Sequence, residues 1–567
     1  MVLTTAPLRR YLKRFGNKTT VKSDIKAGLV LGIESVPDGL AAGLLAGVNP
    51  LHGLYGYLVG TVGGALATGS AFMTVQATGA MSVVISDIPQ TQDAEQSAAA
   101  LATLALLTGL IMLGLGLAKL GSLVRFIPTA VLVGFINAVA INIILGQFDN
   151  LTGYSSDGDN RLVKTVDTFT HLLELNAQSL IVGGVTIALI LMLEKTRLGA
   201  LSMVVAVVAG SVAAALLGLL PWGSTVALLG DVATVPTSLP DLELPSISMI
   251  PVLIIPALSL ALVGLVQGSA ISGSIPNPDG QYPDSSADFR GQGMANLATG
   301  LFQGMPVGGS MSATALVRTA GAQTALANLV AGAAMATCIL ALGSTIGYMA
   351  MPALAALLIL VGFRTLKIHD LTMVWRTGPI QATVLAVTFI LTLLIPLQYS
   401  VLTGVGLAVI LHIARMSNRI VVRRWEFDVD SALPYESSPP QVLSTGELVV
   451  LVPYGSLFFA ASPIFEQQLP KVPASCEGTV VIIRLRGKDE LGVTFIKTLE
   501  RYAAALETAG GTLMLAGVGA KVYGQLAVTG SLHRIGKSHV FKARRRVGNS
   551  LQDAMAGAEA WRLENRR

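Results

Sequence analysis

From Ala27 to His412 the chain passes through one apolar stretch after another, broken only by short polar or turn-forming segments. A helix that crosses a membrane needs roughly 20 mostly apolar residues, because the hydrocarbon core is about 30 Å thick. Unbroken runs cover 101–117, 131–145, 181–193, 204–219, 252–266, 329–342, 354–361, 383–395 and 402–413. Others, interrupted by glycine, proline or acids, cover 27–47, 54–67, 78–88, 291–302 and 312–317. The pattern leads to an expectation of about 14 crossing or half-crossing elements. Composition agrees. At 13% charged residues the chain has about half the charged share of a soluble domain, so lipid must replace water over much of its surface. Its 60 glycines suit the close helix packing of a bilayer protein.

The placement of cations gives an independent reading of topology. Arg9, Arg10, Lys13, Arg14, Lys18 and Lys22 precede the first run, and Lys119 and Arg125 lie between the runs 101–117 and 131–145. Lys195 and Arg197 precede 204–219; Arg364, Lys367 and Arg376 follow 354–361; Arg415, Arg419, Arg423 and Arg424 follow the last run. The loop 221–251 has no Lys or Arg. The positive-inside rule then places both termini in the cytoplasm of a bacterial-type plasma membrane and requires an even number of crossings. The basic, punctuated N-terminus is not expected to be a cleaved signal.

After Arg424 the character changes. The stretch 425–440 is polar and contains proline, as a linker does. Beyond it, short β-rich runs at 448–452, 479–485 and 512–516 alternate with helical patterns at 463–469, 493–508 and 520–527. Such alternation predicts a small layered α/β domain. The expected organisation is a basic N-terminus at 1–23, a transmembrane domain at 24–415, a linker at 416–441, the α/β domain at 442–560 and a tail at 561–567.

Two features within the spans could carry chemistry. Glu34 and Asp38 lie four apart in VLGIESVPDGLAAGLLAG and so share one helical face, with Pro37 between them. Ionisable groups at this depth are costly and usually face a cavity or a partner. They are read either as structurally bonded near a membrane face or as part of a substrate or coupling-ion site, Asp38 more than Glu34. The second feature is a pair of short segments rich in small and hydroxyl residues, AFMTVQATGAMS at 71–82 and MPVGGSMSATAL at 305–316. Each reads as an extended stretch leading into a half-length helix. Irregular backbone at membrane depth survives only where protein protects it or a cavity meets it. Two facing half-helix N-termini would present free N–H groups and a positive dipole end, an anion site made without a formal cation. One such segment in each half of the chain is the pattern of an inverted repeat. The competing reading is plain close packing through small residues.

These residues resemble the SulP family of anion transporters, whose animal relatives include prestin. The opening DIKAGLVLGIESVP and AGLLAGVNPLHGLYGY are similar to the family's first element. VGLVQGSAISGS and GQGMANLATGLFQGMPVGGSMSATALVRTAGAQT are similar to its eighth span and the segment entering its tenth. YGSLFFAAS, TLMLAGV and IGKSHVF look like a STAS domain. The resemblance implies seven-plus-seven inverted repeats in core and gate domains. It implies an anion between the half-helices entered at Gln76, Ala77, Thr78, Gly79 and Ala80 and at Ser310, Met311, Ser312, Ala313 and Thr314, with Gln267 alongside. It also implies transport of sulfate, bicarbonate, chloride, oxalate or dicarboxylates by proton or sodium symport or by exchange, in a homodimer. This chain departs from the family at three places. Gln267 stands where many members have a carboxylate, Ala313 where many have Arg, and Asp38 where an uncharged residue is common. The expectation is that Asp38, with Glu34, has taken over coupling. In the STAS-like part, the phosphorylatable Asp-Ser-Ser/Thr-Gly position reads Asp489-Glu490-Leu491-Gly492 and has no hydroxyl, so docking or dimer stabilisation is expected there rather than a phosphorylation switch.

No catalytic constellation, Walker-type phosphate loop or metal-ligand spacing is present in the sequence, and His52, His171, His369 and His412 are scattered. Neither an enzyme, a cofactor nor a nucleic-acid partner is therefore expected. The alternatives left open are a nucleobase-type carrier of a neutral or weakly acidic organic substrate, an exchanger or channel without cation coupling, and a membrane-anchored regulator.

Overall fold

The computed structural model describes residues 15, 19–93, 95–121, 128–158, 160–196, 198–199, 201–219, 223–233, 238–396, 399–400, 403–404, 406–407, 409–411, 413, 420–427, 433–455, 457 and 461–565. The chain divides into two compact units, Met1–Ala408 and Val409–Arg567. Among the cations used above for topology, Arg9, Arg10, Lys13, Arg14, Lys18, Arg125, Arg197, Arg415 and Arg419 lie outside the described residues, as does His412.

Among the described residues, the helices of eight residues or more in the first unit are α1 (Val21–Leu45), α2 (Pro50–Ala67), α3 (Gly79–Ser86), α4 (Ser97–Leu117), α5 (Thr129–Leu145), α6 (Arg161–Thr170), α7 (Ala177–Leu193) and α8 (Leu201–Gly218). They continue with α9 (Ile250–Ser274), α10 (Ser285–Leu301), α11 (Met311–Thr319), α12 (Leu326–Ile346), α13 (Met351–Thr365), α14 (Ile368–Thr377) and α15 (Pro379–Leu394). Every apolar run read from the sequence is a helix except 402–413, which lies partly outside the described residues. Among the described residues, seven helical stretches are long and apolar enough to cross a membrane alone. Most helices begin before their apolar runs, and some of these first turns are capped by polar side chains. Asn49, for instance, accepts the Leu51 N–H just before Pro50 opens α2.

The halves of this unit repeat one order of elements. A 25-residue helix with an internal proline (α1 with Pro37, α9 with Pro256) is followed by a second helix, a three-residue strand and a half-length helix. The strands are β1 (Thr74–Gln76) and β2 (Gly308–Ser310), and they pair with each other antiparallel. The helices sort into two packing groups. One joins α1, α2, α4, α9, α10 and α12; the other joins α5, α7, α8, α13 and α15. Glycines set the close approaches in the first group. On α2, a Cβ at Gly56, Gly60 or Gly64 would meet Met305, Val75 and Val307, or Val75 respectively. The helix therefore offers a bare track on which the strand pair lies.

The second unit is a six-stranded sheet in the order β4-β3-β5-β6-β7-β8, with β3 (Val421–Phe427), β4 (Pro434–Ser437), β5 (Leu448–Tyr454), β6 (Val480–Arg484), β7 (Thr512–Val518) and β8 (Val540–Lys542). Strands β5 to β8 are parallel neighbours, the arrangement that strand–helix alternation demands. Helix α16 (Val493–Thr508) and α17 (Ala520–Val528) build one core with the sheet, and α18 (Asn549–Glu564) covers its other face. The stretch expected to be a linker, 416–441, instead contains β3 and β4, and the expected tail overlaps α18. The reason is that β4 is a sheet edge with exposed side chains, so it reads as polar. Its hairpin is held by side chains: Trp425 Nε1 donates to Glu436 at 3.2 Å, and the Tyr435 hydroxyl donates to Glu426 at 2.7 Å. Those hydrogen bonds to Glu426, from Ser437 and then Tyr435, hold its carboxyl below the usual glutamate range.

Candidate functional site

Strand β1 and strand β2 are buried along their whole length, with Thr74 opposite Ser310, Val75 opposite Gly309 and Gln76 opposite Gly308. Two three-residue strands leave most of their outward N–H and C=O groups unpaired, which is untenable in lipid. Buried amides from neighbouring helices complete them. On the β2 side, Asn296 of α10 accepts the Val307 N–H at 2.9 Å and donates to the Val307 carbonyl at 2.7 Å, and Gln292 accepts the Gly309 N–H at 2.9 Å. On the β1 side, Asn328 of α12 donates to the Met73 carbonyl at 3.2 Å and accepts the Thr74 hydroxyl at 2.8 Å. Gln76 donates to Ser35 of α1 at 2.9 Å and to Thr61 of α2 at 3.2 Å. Thr314 binds the two segments together, accepting the Thr74 N–H at 3.0 Å and donating to the Ser310 carbonyl at 2.6 Å.

From this pair the half-length helices depart. Thr78 is the N-cap of α3 and accepts the Met81 N–H; Ser310 is the N-cap of α11 and accepts the Ala313 N–H. The first four N–H groups of a helix have no intrahelical partner. Each cap takes one, and the earlier N–H groups, at Gly79 and Ala80 and at Met311 and Ser312, have no intrahelical acceptor. The Thr78 hydroxyl donates to Gln267 of α9 at 3.0 Å, so α9 is tied to the start of α3. Gln267 also lies beside β2, since a Cβ on Gly308 would be 3.7 Å from its Oε1. Ala77, Ala80, Ala313 and Thr314 are buried, whereas Met311 and Ser312 are exposed. Gln76 and Thr314, expected beside a ligand, are thus occupied in holding the strand pair.

Asp38 is half-buried on α1 and accepts the Tyr57 hydroxyl of α2 at 3.0 Å; Glu34, one turn earlier, is also half-buried. Helix α1 passes through Pro37 without a break. Helix α3 sits where the two packing groups meet, against α1 and α9 on one side and α5 on the other. A Cβ on Gly79 would be 2.7 Å from Ile143 of α5. None of the residues gathered here is basic.

Sequence reasoning singled out both half-helices but missed the pairing of their lead-ins and the residues that complete it: Ser35, Tyr57, Thr61, Gln292, Asn296 and Asn328. Their signal is visible in retrospect. Each is a hydrogen-bonding side chain in a helix of the membrane-spanning unit, and such groups in lipid must find partners.

A family profile described as the sulfate permease family matches residues 21–388. The YvdB protein of Bacillus subtilis (strain 168) is 26% identical, over 93% of this chain and 97% of its own length. The bicarbonate transporter BicA of Picosynechococcus is 26% identical, over 70% of this chain and 71% of its own. The murine Slc26a9 anion transporter, solved in an inward-facing state, superposes with a TM-score of 0.84 at 20% identity, covering 98% of this chain and 94% of that one. That likeness shows a common fold of a multi-span helical domain and a C-terminal α/β domain.

Proposed function

The chain belongs to the sulfate permease family, and from that premise we propose that it is a secondary active carrier of small inorganic anions of the sulfate, bicarbonate or chloride class. The observation that carries this reading is the antiparallel pair β1–β2 with a half-length helix leaving each strand. Helix N-termini bind anions through fixed N–H dipoles and the positive end of the helix. Dipoles held in place by Asn296, Asn328 and Thr314 need no reorganisation when the anion arrives. Because no arginine stands at the site, attraction is modest, and a carrier must release what it binds. The position of α3 between the two packing groups suits alternating access, since motion of one group past the other would expose the start of α3 to either side.

Asp38 is the coupling group in this proposal, with Glu34 one turn away. As a carboxylate it accepts the Tyr57 hydroxyl; protonation or a bound sodium ion would compete for that oxygen and so report the ion's presence to α2. The protein works as a multi-pass homodimer in the bacterial plasma membrane with both termini cytoplasmic, and the C-terminal unit is a STAS domain serving docking. A nucleobase-type substrate is the second reading, favoured by a carboxylate and no cation at the site.

Flux of radiolabelled sulfate, bicarbonate, chloride and uracil into proteoliposomes, with and without pH and sodium gradients, tests both readings. Uracil uptake without anion uptake would replace the first by the second. Asp38→Asn is expected to abolish gradient-driven uptake while leaving anion exchange measurable. Unchanged pH and sodium dependence in that variant removes Asp38 from the coupling role.

A further inference from the structure

The end of α3 remote from the candidate anion site closes on an ion pair. Asp87 is the C-cap of α3, and Arg161 Nη2 lies 3.1 Å from its Oδ1 while also donating to the Ser86 hydroxyl. The two charged side chains are only 19% and 17% exposed. Arg161 opens α6, which follows α5 and packs on it. The pair therefore ties α3, which packs against α1 and α9, to the segment that follows α5. A cation at a helix C-terminus also complements the helix dipole, so α3 holds Arg161 by the Ser86 hydroxyl, the Asp87 carboxylate and the negative end of its own dipole.

Beside the pair opens a polar cavity of about 690 Å³. It is lined by the C-terminal ends of α1, α5 and α15, by Asn142 and Asn160, and by Lys164, one turn along α6 from Arg161. Asp149 also lines it, with its carboxylate accepting the Ser156 hydroxyl at 2.6 Å. The cavity lies at the end of α1 opposite Lys22, which the positive-inside reading assigns to the outer face.

Movement of α3 together with α1 and α9 past α5 and α6 would break the Arg161–Asp87 contact. A mostly buried guanidinium stripped of its acceptors is costly and needs a replacement. In an anion carrier the replacement arrives from outside. We propose that Arg161 is a shared cation. In the closed state it latches the outer end of α3 through Asp87 and Ser86, and an oxyanion entering the cavity takes Arg161 from Asp87, with Lys164 as second cation, and so releases α3. A guanidinium suits this exchange because its planar fork serves a carboxylate and an oxyanion in the same geometry. The inference rests on the carrier reading for its occupant, and it adds where the anion is first bound and what its arrival unlocks.

The test is thiol accessibility in the full-length chain reconstituted in vesicles. Asn142→Cys is introduced after Cys338→Ser and Cys476→Ser, and a membrane-impermeant thiol reagent is applied from outside. Sulfate, against gluconate at equal ionic strength, is expected to speed labelling several-fold. Arg161→Gln is expected to label about tenfold faster than its parent and to ignore sulfate; Arg161→Lys keeps part of the sulfate response. Asp87→Asn is the second variant, expected to label fast and to lower the sulfate concentration needed for half-maximal effect. Slow labelling of both Arg161→Gln and Asp87→Asn, or no sulfate response in a parent that carries sulfate, overturns the latch. Fast labelling in the two variants of a chain that carries no anion would keep the latch and sink the carrier reading.

Discussion

The two lead-ins to the half-length helices solve one problem with opposite means. The first, Thr74-Val75-Gln76, carries side chains that reach outward, with Gln76 bonded to α1 and α2 and Thr74 to α12. The second, Gly308-Gly309-Ser310, has almost none, and α9 comes so close that a Cβ on either glycine would lie 3.2 to 3.3 Å from the Cα of Gly264 or Gly268. One strand is held by what it projects, the other by what it omits. A repeat can therefore keep its backbone geometry while its side chains diverge, provided every buried N–H and C=O finds a partner.

Six substitutions probe that contrast. The largest effect is expected at Gly60, where an added Cβ would sit 2.8 Å from the Val75 carbonyl oxygen and 3.0 Å from a Val307 methyl. Neither strand can retreat, so Gly60→Ala should cost about 3 kcal/mol, seen as loss of monodisperse protein in detergent or of nearly all flux. Next come the amides. Asn296→Leu orphans both the N–H and the carbonyl of Val307, about 2–3 kcal/mol. Asn328→Leu should cost only about 1–2 kcal/mol, because it leaves carbonyls and a hydroxyl free to turn. Thermal unfolding of the two variants side by side measures the difference, and equal losses would break the comparison.

The caps come third. Thr78→Val removes both the cap of α3 and the bond to Gln267, whereas Ser310→Ala removes a cap whose neighbour Ser312 is exposed and can substitute. About 1–2 kcal/mol is expected for the first and about 0.5–1 kcal/mol for the second, with a larger rise in the apparent KM for Thr78→Val. Smallest is Gly308→Ala. Its Cβ meets the Met81 sulfur at 3.0 Å, part of a flexible side chain, and the Gly264 Cα at 3.3 Å, which has to give by only a few tenths of an ångström, so a loss of under about 1 kcal/mol is expected. A severe defect there would mean that β2 is as tightly boxed as β1.

Membrane class, span positions and both broken helices could be read from the sequence because each leaves a mark in local chemistry: apolar length, or a cluster of small and hydroxyl residues. The rest left none. Helix α10 was read only as 291–302, yet it begins at Ser285, since its first turn and its buried Asp288, Gln292 and Asn296 look like surface. Those side chains are polar because they serve the strand pair and the loop before it, where Asp288 accepts the Ser70 N–H at 2.8 Å. Strands of three residues, Thr-Val-Gln and Gly-Gly-Ser, are too short for any periodicity, and their partners lie in the opposite half of the chain. Asp24 shows the same blindness, since it reads as a charge at the membrane edge but accepts the Gln323 and Thr324 N–H groups from far along the chain. Strand β4 was lost for the reverse reason, being an exposed edge with the composition of a linker.

The pairing of β1 with β2 also limits how a gene for such a chain can be cut. Expressed alone, either half would carry a three-residue ribbon whose bonding edge opens onto fatty acyl chains. Two fragments split in the loop before α9 should thus be unstable apart and recover only when made together, each serving as the missing edge of the other.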